Sequence, residues 1–120
     1  MGIESINEKN LLRTIFLRQI KIDNLIEIRG FSMEPTYYAG DKVKVETAPC
    51  YKVGDVVIAI DDPCRLLIHR VVEVIHGAGD EGIVYKIKGD NAEACEMIPA
   101  KYCLAKVTED KQNLKSERRK

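Results

Sequence analysis

The chain has 120 residues, with 19 Lys and Arg against 19 Asp and Glu, so its formal net charge is zero. This length fits one domain with a modest hydrophobic core. The balanced charge, the absence of Trp and an aromatic content of 6% argue against a nucleic-acid partner, which would call for basic and base-stacking surfaces.

The sequence carries no signal for crossing or entering a membrane. None of its apolar runs approaches the roughly 18 residues that a spanning helix needs. The first residues, "MGIESINEKN", lack the long apolar region of a secretory signal. We therefore expect a cytoplasmic protein.

Residues 6–21, "INEKNLLRTIFLRQIK", have the apolar spacing of an amphipathic helix, with Leu12, Ile15, Phe16 and Ile20 on one side. The simpler interpretation is a helix that packs on the rest of the protein. The alternative is a basic helix that rests on a membrane surface, as a peripheral contact through the same residues.

The following part of the chain consists of short, β-branched segments separated by Gly, Asp and Pro, which predicts strands. "HGAGDEG", between the fourth and fifth segments, predicts a hairpin. The candidate strands are "LIEIR" (25–29), "KVKVE" (42–46), "DVVIAID" (55–61), "RLLIHRVVEVI" (65–75), "IVYKIK" (83–88) and "CLAKV" (103–107).

These segments predict a mainly β, partly barrel-like fold with one N-terminal amphipathic helix. We divide the chain into a helical segment (1–24), a β domain (25–107) and a charged, flexible tail (108–120, "TEDKQNLKSERRK").

The cysteines do not form a recognisable metal site. Cys50, Cys64, Cys95 and Cys103 include no CxxC pair, and their spacing relative to the two histidines matches no zinc framework. We interpret them as reduced thiols and expect no metal and no cofactor.

Three polar residues interrupt the apolar pattern at places where chemistry is plausible. Ser32 follows an apolar run and precedes a proline turn, His69 lies inside a strand, and Asp90 follows another strand. A serine hydroxyl is a poor nucleophile unless a base takes its proton, and a histidine base works best when a carboxylate orients it. By itself this trio is a weak signal, because most chains of this size contain one.

Each of these residues also has a structural interpretation. Ser32 could cap a turn, His69 could be a core residue with a satisfied imidazole, and Asp90 could belong to a hairpin turn. Asp41 and Asp55, each after a glycine, are interpreted as structural residues that accept backbone N–H groups.

A set of motifs in order resembles the signal peptidase family of serine endopeptidases. The matching segments are "GFSMEPT" (30–36), "GDKVKV" (40–45), "GDVVIAID" (54–61), "LIHRVVEV" (67–74) and "YKIKGDNA" (85–92). Together they cover most of residues 28–107, and the resemblance implies the partly barrel-like β fold of that family.

The resemblance implies Ser32 as nucleophile, His69 as base, and Asp90 as the residue that orients His69. Histidine at this position is typical of the endoplasmic-reticulum and archaeal members, whereas most bacterial members have lysine. Glu96 stands where that branch has a second aspartate. Gly30 stands where some members have a hydroxyl for the oxyanion hole.

Residues around Ser32 are expected to shape the substrate site. Pro35 fixes the turn, Met33 packs beneath the serine, and Phe31 helps to form shallow pockets. Arg70, on the opposite face of its strand from His69, is available to pair with a carboxylate. The resemblance implies an extended leader or precursor peptide as substrate, paired along a strand edge and cut after small residues.

The sequence therefore predicts a serine endopeptidase of the signal peptidase type. One alternative is the related self-cleaving repressor family, which uses a lysine base and a DNA-binding domain upstream. The other is a catalytically silent β-module that binds a peptide partner or a metal.

Overall fold

A computed structural model describes residues 7–78 and 82–108 of the chain. They form a mainly β structure with an N-terminal helix, as predicted. Its elements are α1 (Glu8–Ile22), β1 (Leu25–Glu27), β2 (Lys42–Glu46), β3 (Val56–Asp61), β4 (Arg65–Ala78), β5 (Gly82–Lys88), β6 (Cys95–Pro99), a short 3-10 helix (Ala100–Tyr102) and β7 (Cys103–Val107).

The strands form one seven-stranded sheet in the order β1-β2-β7-β3-β4-β5-β6. Every neighbouring pair is antiparallel. The sheet does not close, so β1 and β6 are its two edges and the fold is only partly barrel-like.

The core lies around β3, the central strand. Its residues Val56–Ile60 are all buried, which requires cover on both faces of the strand. In β2, Val43 and Val45 are buried while the residues between and beside them are not, as the alternating sequence predicts.

The helix α1 begins at a capping residue. The Asn7 side chain accepts hydrogen bonds from the backbone N–H groups of Lys9 and Asn10, at 2.8 and 3.2 Å. These two donors have no partner within the helix, so the cap satisfies them. Phe16 and Ile20 are the buried side chains of this helix.

Polar contacts also attach α1 to the short 3-10 helix and to the turn between β3 and β4. Arg13 Nε donates to the carbonyl of Lys101 at 2.9 Å, and the Tyr102 hydroxyl donates to Asn10 Oδ1 at 2.8 Å. Lys9 forms an ion pair with Asp62 in the turn between β3 and β4. The prediction of a helix packed on the domain is thus confirmed.

The packed face of α1 differs from the predicted one at one position. Ile15 is exposed, together with Leu11 and Ile22, because the buried stripe is centred on Phe16 and Ile20. Peripheral contact of this helix with a membrane stays a prediction. Within the described ranges no helix is long and apolar enough to cross a bilayer.

The predicted strands and the β4–β5 hairpin are confirmed, and β6 is an addition. β6 was missed because it is short, ends in proline and lies at the sheet edge, where few of its side chains are buried. Exposure alternates along β6, most strongly between Met97 (54% exposed) and Ile98 (1%).

Two smaller predictions concern the turns and the tail. Asp41 Oδ2 accepts the Tyr38 N–H at 2.8 Å and Asp55 Oδ2 accepts the Lys52 N–H at 3.0 Å, which confirms their structural role. Thr108 still donates its N–H to the Lys44 carbonyl at 2.9 Å. The predicted flexible tail beyond it, and residues 79–81 of the hairpin linker, lie outside the described residues.

We expect Ile20→Ala to lower the free energy of unfolding by about 2–5 kcal/mol, because it removes a buried side chain between α1 and the sheet. Ile22→Ala is the control, since this neighbouring isoleucine is 77% exposed and its loss should cost less than about 0.5 kcal/mol. Urea unfolding measures both. Equal losses would contradict the packed helix.

Candidate active site

Ser32 lies in the serine loop, which we define as residues 28–41 between β1 and β2. The base of this loop is closed by two backbone hydrogen bonds, from Ile28 N to Asp41 O and from Gly40 N to Ile28 O, both 2.8 Å. Met33 is buried beside Ser32 and anchors the loop in the core. Ser32 itself is partly exposed, so its hydroxyl is fixed but accessible.

His69 on β4 contacts Ser32 through one ring nitrogen and Glu96 through the other. The distance from His69 Nε2 to Ser32 Oγ is 3.1 Å, and that from His69 Nδ1 to Glu96 Oε1 is 2.8 Å. The His69 side chain is 7% exposed, and both of its ring nitrogens have partners. A buried polar ring satisfied in this way is stable in the sheet.

These contacts select the tautomer that a general base requires. A carboxylate can only accept, so His69 Nδ1 carries the proton that is donated to Glu96. His69 Nε2 is then free to accept a hydrogen bond from the Ser32 hydroxyl. Ser32, His69 and Glu96 therefore have the connectivity of a nucleophile, a base and an orienting acid.

The prediction that Asp90 orients His69 is corrected by this geometry. Asp90 accepts two hydrogen bonds from Arg70, from Nε to Oδ1 and from Nη2 to Oδ2, each 2.8 Å. Successive side chains of β4 point to opposite faces, so Arg70 holds Asp90 away from His69. Glu96, which the resemblance had placed at a second acidic position, contacts His69 instead.

Asp90 joins β4 to the serine loop. Besides Arg70, its carboxylate accepts a hydrogen bond from the Thr36 hydroxyl. The hydrogen bonds from Arg70 hold the pKa of Asp90 below its ordinary value, although partial burial opposes the shift. This ion pair also fulfils the expectation that Arg70 finds a carboxylate.

The residues after β5 hold the serine loop directly. Asn91 donates its backbone N–H to the Ser32 carbonyl at 2.7 Å and its side-chain amide to the Phe31 carbonyl at 3.1 Å. Asn91 was not predicted as a site residue, although it belongs to the same Gly-Asp-Asn motif as Asp90.

Gly89 was also missed, and the site depends on its lack of a side chain. A Cβ at this position would lie 2.6 Å from Ser32 O, 3.0 Å from Ser32 Cβ and 3.1 Å from His69 Nε2. Contacts this close force a shift of Ser32 or His69. Only glycine allows the end of β5 to approach both groups.

A cleft of about 420 Å³ opens beside Ser32. Most of its surface is aliphatic, and it draws on the serine loop, β1, β3, β4 and α1. The lining consists of residues 25–29, residues 66–68, Ser32, Met33, Ile58 and Phe16.

The predicted substrate-binding residues divide into two groups. Met33 lines the cleft, whereas Phe31 and Pro35 lie outside its lining. Phe31 is 68% exposed and adjacent to Ser32, so it remains available to a ligand that extends beyond the cleft.

The Ser32 backbone N–H donates to no backbone carbonyl in the part of the chain that the structure describes. A free N–H on the nucleophile itself is a suitable donor to an oxyanion. Gly30, two residues earlier, cannot supply a hydroxyl. A group of three or more His, Cys, Asp or Glu arranged for a metal ion is absent from residues 7–78 and 82–108.

Comparison with protein-family models, curated proteins and solved structures finds no match in any of the three.

We expect Glu96→Gln to slow the reaction of Ser32 with a fluorophosphonate probe by roughly 10²–10⁴-fold, because glutamine can hold His69 in the wrong tautomer. Gel-based labelling kinetics measure this rate, and thermal unfolding checks that the variant is folded. Asp90→Asn is the matched control. It should label within about tenfold of the wild type while losing about 1–3 kcal/mol of stability through Arg70. The reverse pattern would restore Asp90 as the orienting acid.

The Arg70–Asp90 pair should stabilise the protein in a pH-dependent way. Because the folded-state pKa of Asp90 is lowered, its contribution is complete above the unfolded pKa of about 3.9 and is lost as pH falls through the folded value. The stability difference between wild type and Asp90→Asn should therefore shrink below about pH 4. Urea unfolding at several pH values measures it, and a difference independent of pH would contradict this assignment.

Proposed function

We propose that this protein is a serine endopeptidase of the signal peptidase type that acts through Ser32, His69 and Glu96. The observation that carries the proposal is the chain of two hydrogen bonds, 3.1 Å from Ser32 Oγ to His69 Nε2 and 2.8 Å from His69 Nδ1 to Glu96 Oε1. The ordered motifs in the sequence support the same function.

In the proposed mechanism Ser32 Oγ attacks the carbonyl carbon of the peptide bond while His69 Nε2 takes its proton. Glu96 stabilises the imidazolium that forms. The Ser32 backbone N–H donates to the oxyanion. His69 then gives the proton to the departing amine, and a water molecule activated by the same imidazole hydrolyses the acyl-enzyme.

The cleft supports an extended peptide as the substrate, because strand edges border it on two sides. β1 is an edge strand that pairs only with β2. Residues 65–69 of β4 pair with β3 on one side, whereas pairing with β5 begins at Arg70. In the described sheet the other edge of residues 65–69 is therefore unpaired.

The cleft is lined by consecutive residues of β1 (25–27) and of β4 (66–68), and by residues 28 and 29 at the start of the serine loop. Alternate residues of a strand point to opposite faces, so a lining of consecutive residues means that the strands meet the cleft with their edges. An extended peptide placed between them can hydrogen-bond to the main chain of both strands, which is recognition by β-augmentation.

The alternatives are less well supported by the site. A self-cleaving repressor would use a lysine base, whereas the group within hydrogen-bond distance of Ser32 Oγ is His69. A catalytically silent peptide-binding module could use the same cleft, and the experiment below separates it from an enzyme.

We expect Ser32→Ala and His69→Ala each to abolish hydrolysis of a fluorogenic peptide library, with the double variant little worse than either one, because nucleophile and base act as a unit. Ser32→Ala should also lose all labelling by the fluorophosphonate probe.

His76→Ala is the matched control, since the second histidine is exposed and should leave activity unchanged. Full activity of either Ser32→Ala or His69→Ala would overturn the proposal. Binding of library peptides by the wild type without any hydrolysis would identify a silent module.

A further inference from the structure

The helix α1 reaches the proposed substrate cleft. Phe16, a buried residue of α1, lines the same cleft as Ser32 and Met33. The sequence predicted Phe16 only as part of the apolar face of an amphipathic helix. Part of its side chain therefore faces the cleft and contacts any ligand bound there.

The position of Phe16 is fixed by contacts that α1 makes before and after it along the helix. Arg13 and Asn10 attach α1 to Lys101 and Tyr102, and Ile20 packs in the core one turn further on. A helix held in this way presents Phe16 as a rigid surface and not as a mobile flap.

The same helix is attached to the segment that begins β4. Lys9 pairs with Asp62, which lies in the turn just before residues 66–68 of the cleft. The Lys9 ammonium also lies 5.1 Å from the centre of the Tyr102 ring. The separation of Phe16 from the β4 edge is thus set by contacts outside the cleft.

The cleft is long enough to contact more of a peptide substrate than the residue next to the cleaved bond. Strand residues rise about 3.4 Å each, so the stretch from His69 to Leu66 spans about 10 Å, or three residues of an extended peptide. Over this distance the β4 side is Leu66, Leu67 and Ile68, and Ile58 adds another aliphatic surface. Such a lining accepts apolar side chains.

Building on the proposed function, we infer that Phe16 is a specificity-determining residue, which limits the size of an apolar side chain that an extended peptide substrate places in this cleft. The helix is thereby part of the substrate site as well as of the core. Shortening Phe16 enlarges the cleft, and one methylene in an apolar pocket changes discrimination by about 10-fold or more.

The test uses fluorogenic peptides in which each position before the cut is varied among Ala, Val, Leu and Phe. We expect Phe16→Ala to change the ratio of kcat/KM for Phe over Ala peptides by at least about tenfold at one position, in favour of the larger side chain. Phe16→Leu, which preserves folding better, should shift the ratio in the same direction by less.

Ile20→Ala is the matched control, because Ile20 is buried on the same helix to the same extent but does not line the cleft. It should lower stability and leave the ratio unchanged. Phe16 variants that reduce kcat/KM for all peptides by one common factor, as a core defect does, would overturn the inference.

A parallel measurement separates this inference from the proposed function. Calorimetric binding of the same peptides is measured in the Ser32→Ala background, with and without the Phe16 substitutions. A shift in binding preference supports the role of Phe16 even if the wild type hydrolyses no peptide. An unchanged binding preference, with hydrolysis by the wild type intact, rejects that role and leaves the endopeptidase proposal standing.

Discussion

The site depends on the imidazole of His69, which joins three parts of the chain that are distant in sequence. Its two hydrogen bonds link the serine loop to β4 and β4 to β6. Because the ring is buried, both bonds are required for stability as well as for any chemistry. The register of β4 with β5, and of β5 with β6, must be correct for Glu96 to reach the ring.

Two carboxylates, those of Glu96 and Asp90, lie near Ser32. The alternation of side chains along β4 keeps them apart. His69 and Arg70 are adjacent and point to opposite faces, so one carboxylate pairs with each. Glu96 stays with the imidazole, whereas Asp90 forms the bidentate pair that suits a guanidinium. The Gly-Asp-Asn segment therefore acts on the serine loop as a whole: Gly89 makes room, Asp90 binds Thr36, and Asn91 binds two carbonyls.

Much of this architecture could be predicted from the sequence, because periodicity and turn residues are local signals. The alternation of "KVKVE" and the apolar run at 55–61 predicted β2 and β3, and the apolar spacing of residues 6–21 predicted α1. Ser32 and His69 were identified as a pair, and they lie within hydrogen-bond distance. The sequence predicted Asp90 as the residue that orients His69, whereas the structure places Glu96 there, because the position of Glu96 depends on β6, a short edge strand with a weak local pattern.

The role of Gly89 could not be predicted from the local sequence either. The residue that leaves no room for a side chain there is Ser32, 57 positions earlier. Likewise, the aliphatic spacing of α1 indicated a packed face but not which of its residues reach a cleft formed by β1 and β4. Contacts between distant segments decide such questions. They follow from strand order and register, which the sequence pattern of each segment leaves open.

In the described sheet, β1 and residues 65–69 of β4 each have an edge that pairs with no other strand, which has a consequence for association between molecules. Open strand edges are templates for pairing with other chains and so promote aggregation. Here they face a cleft instead of projecting from the surface, and charged side chains stand on both borders. Glu27 and Arg29 are exposed on one side, and Arg65 is exposed on the other. Desolvating these charges opposes edge-to-edge pairing with the sheet of a neighbouring molecule. A single extended segment can still enter between them.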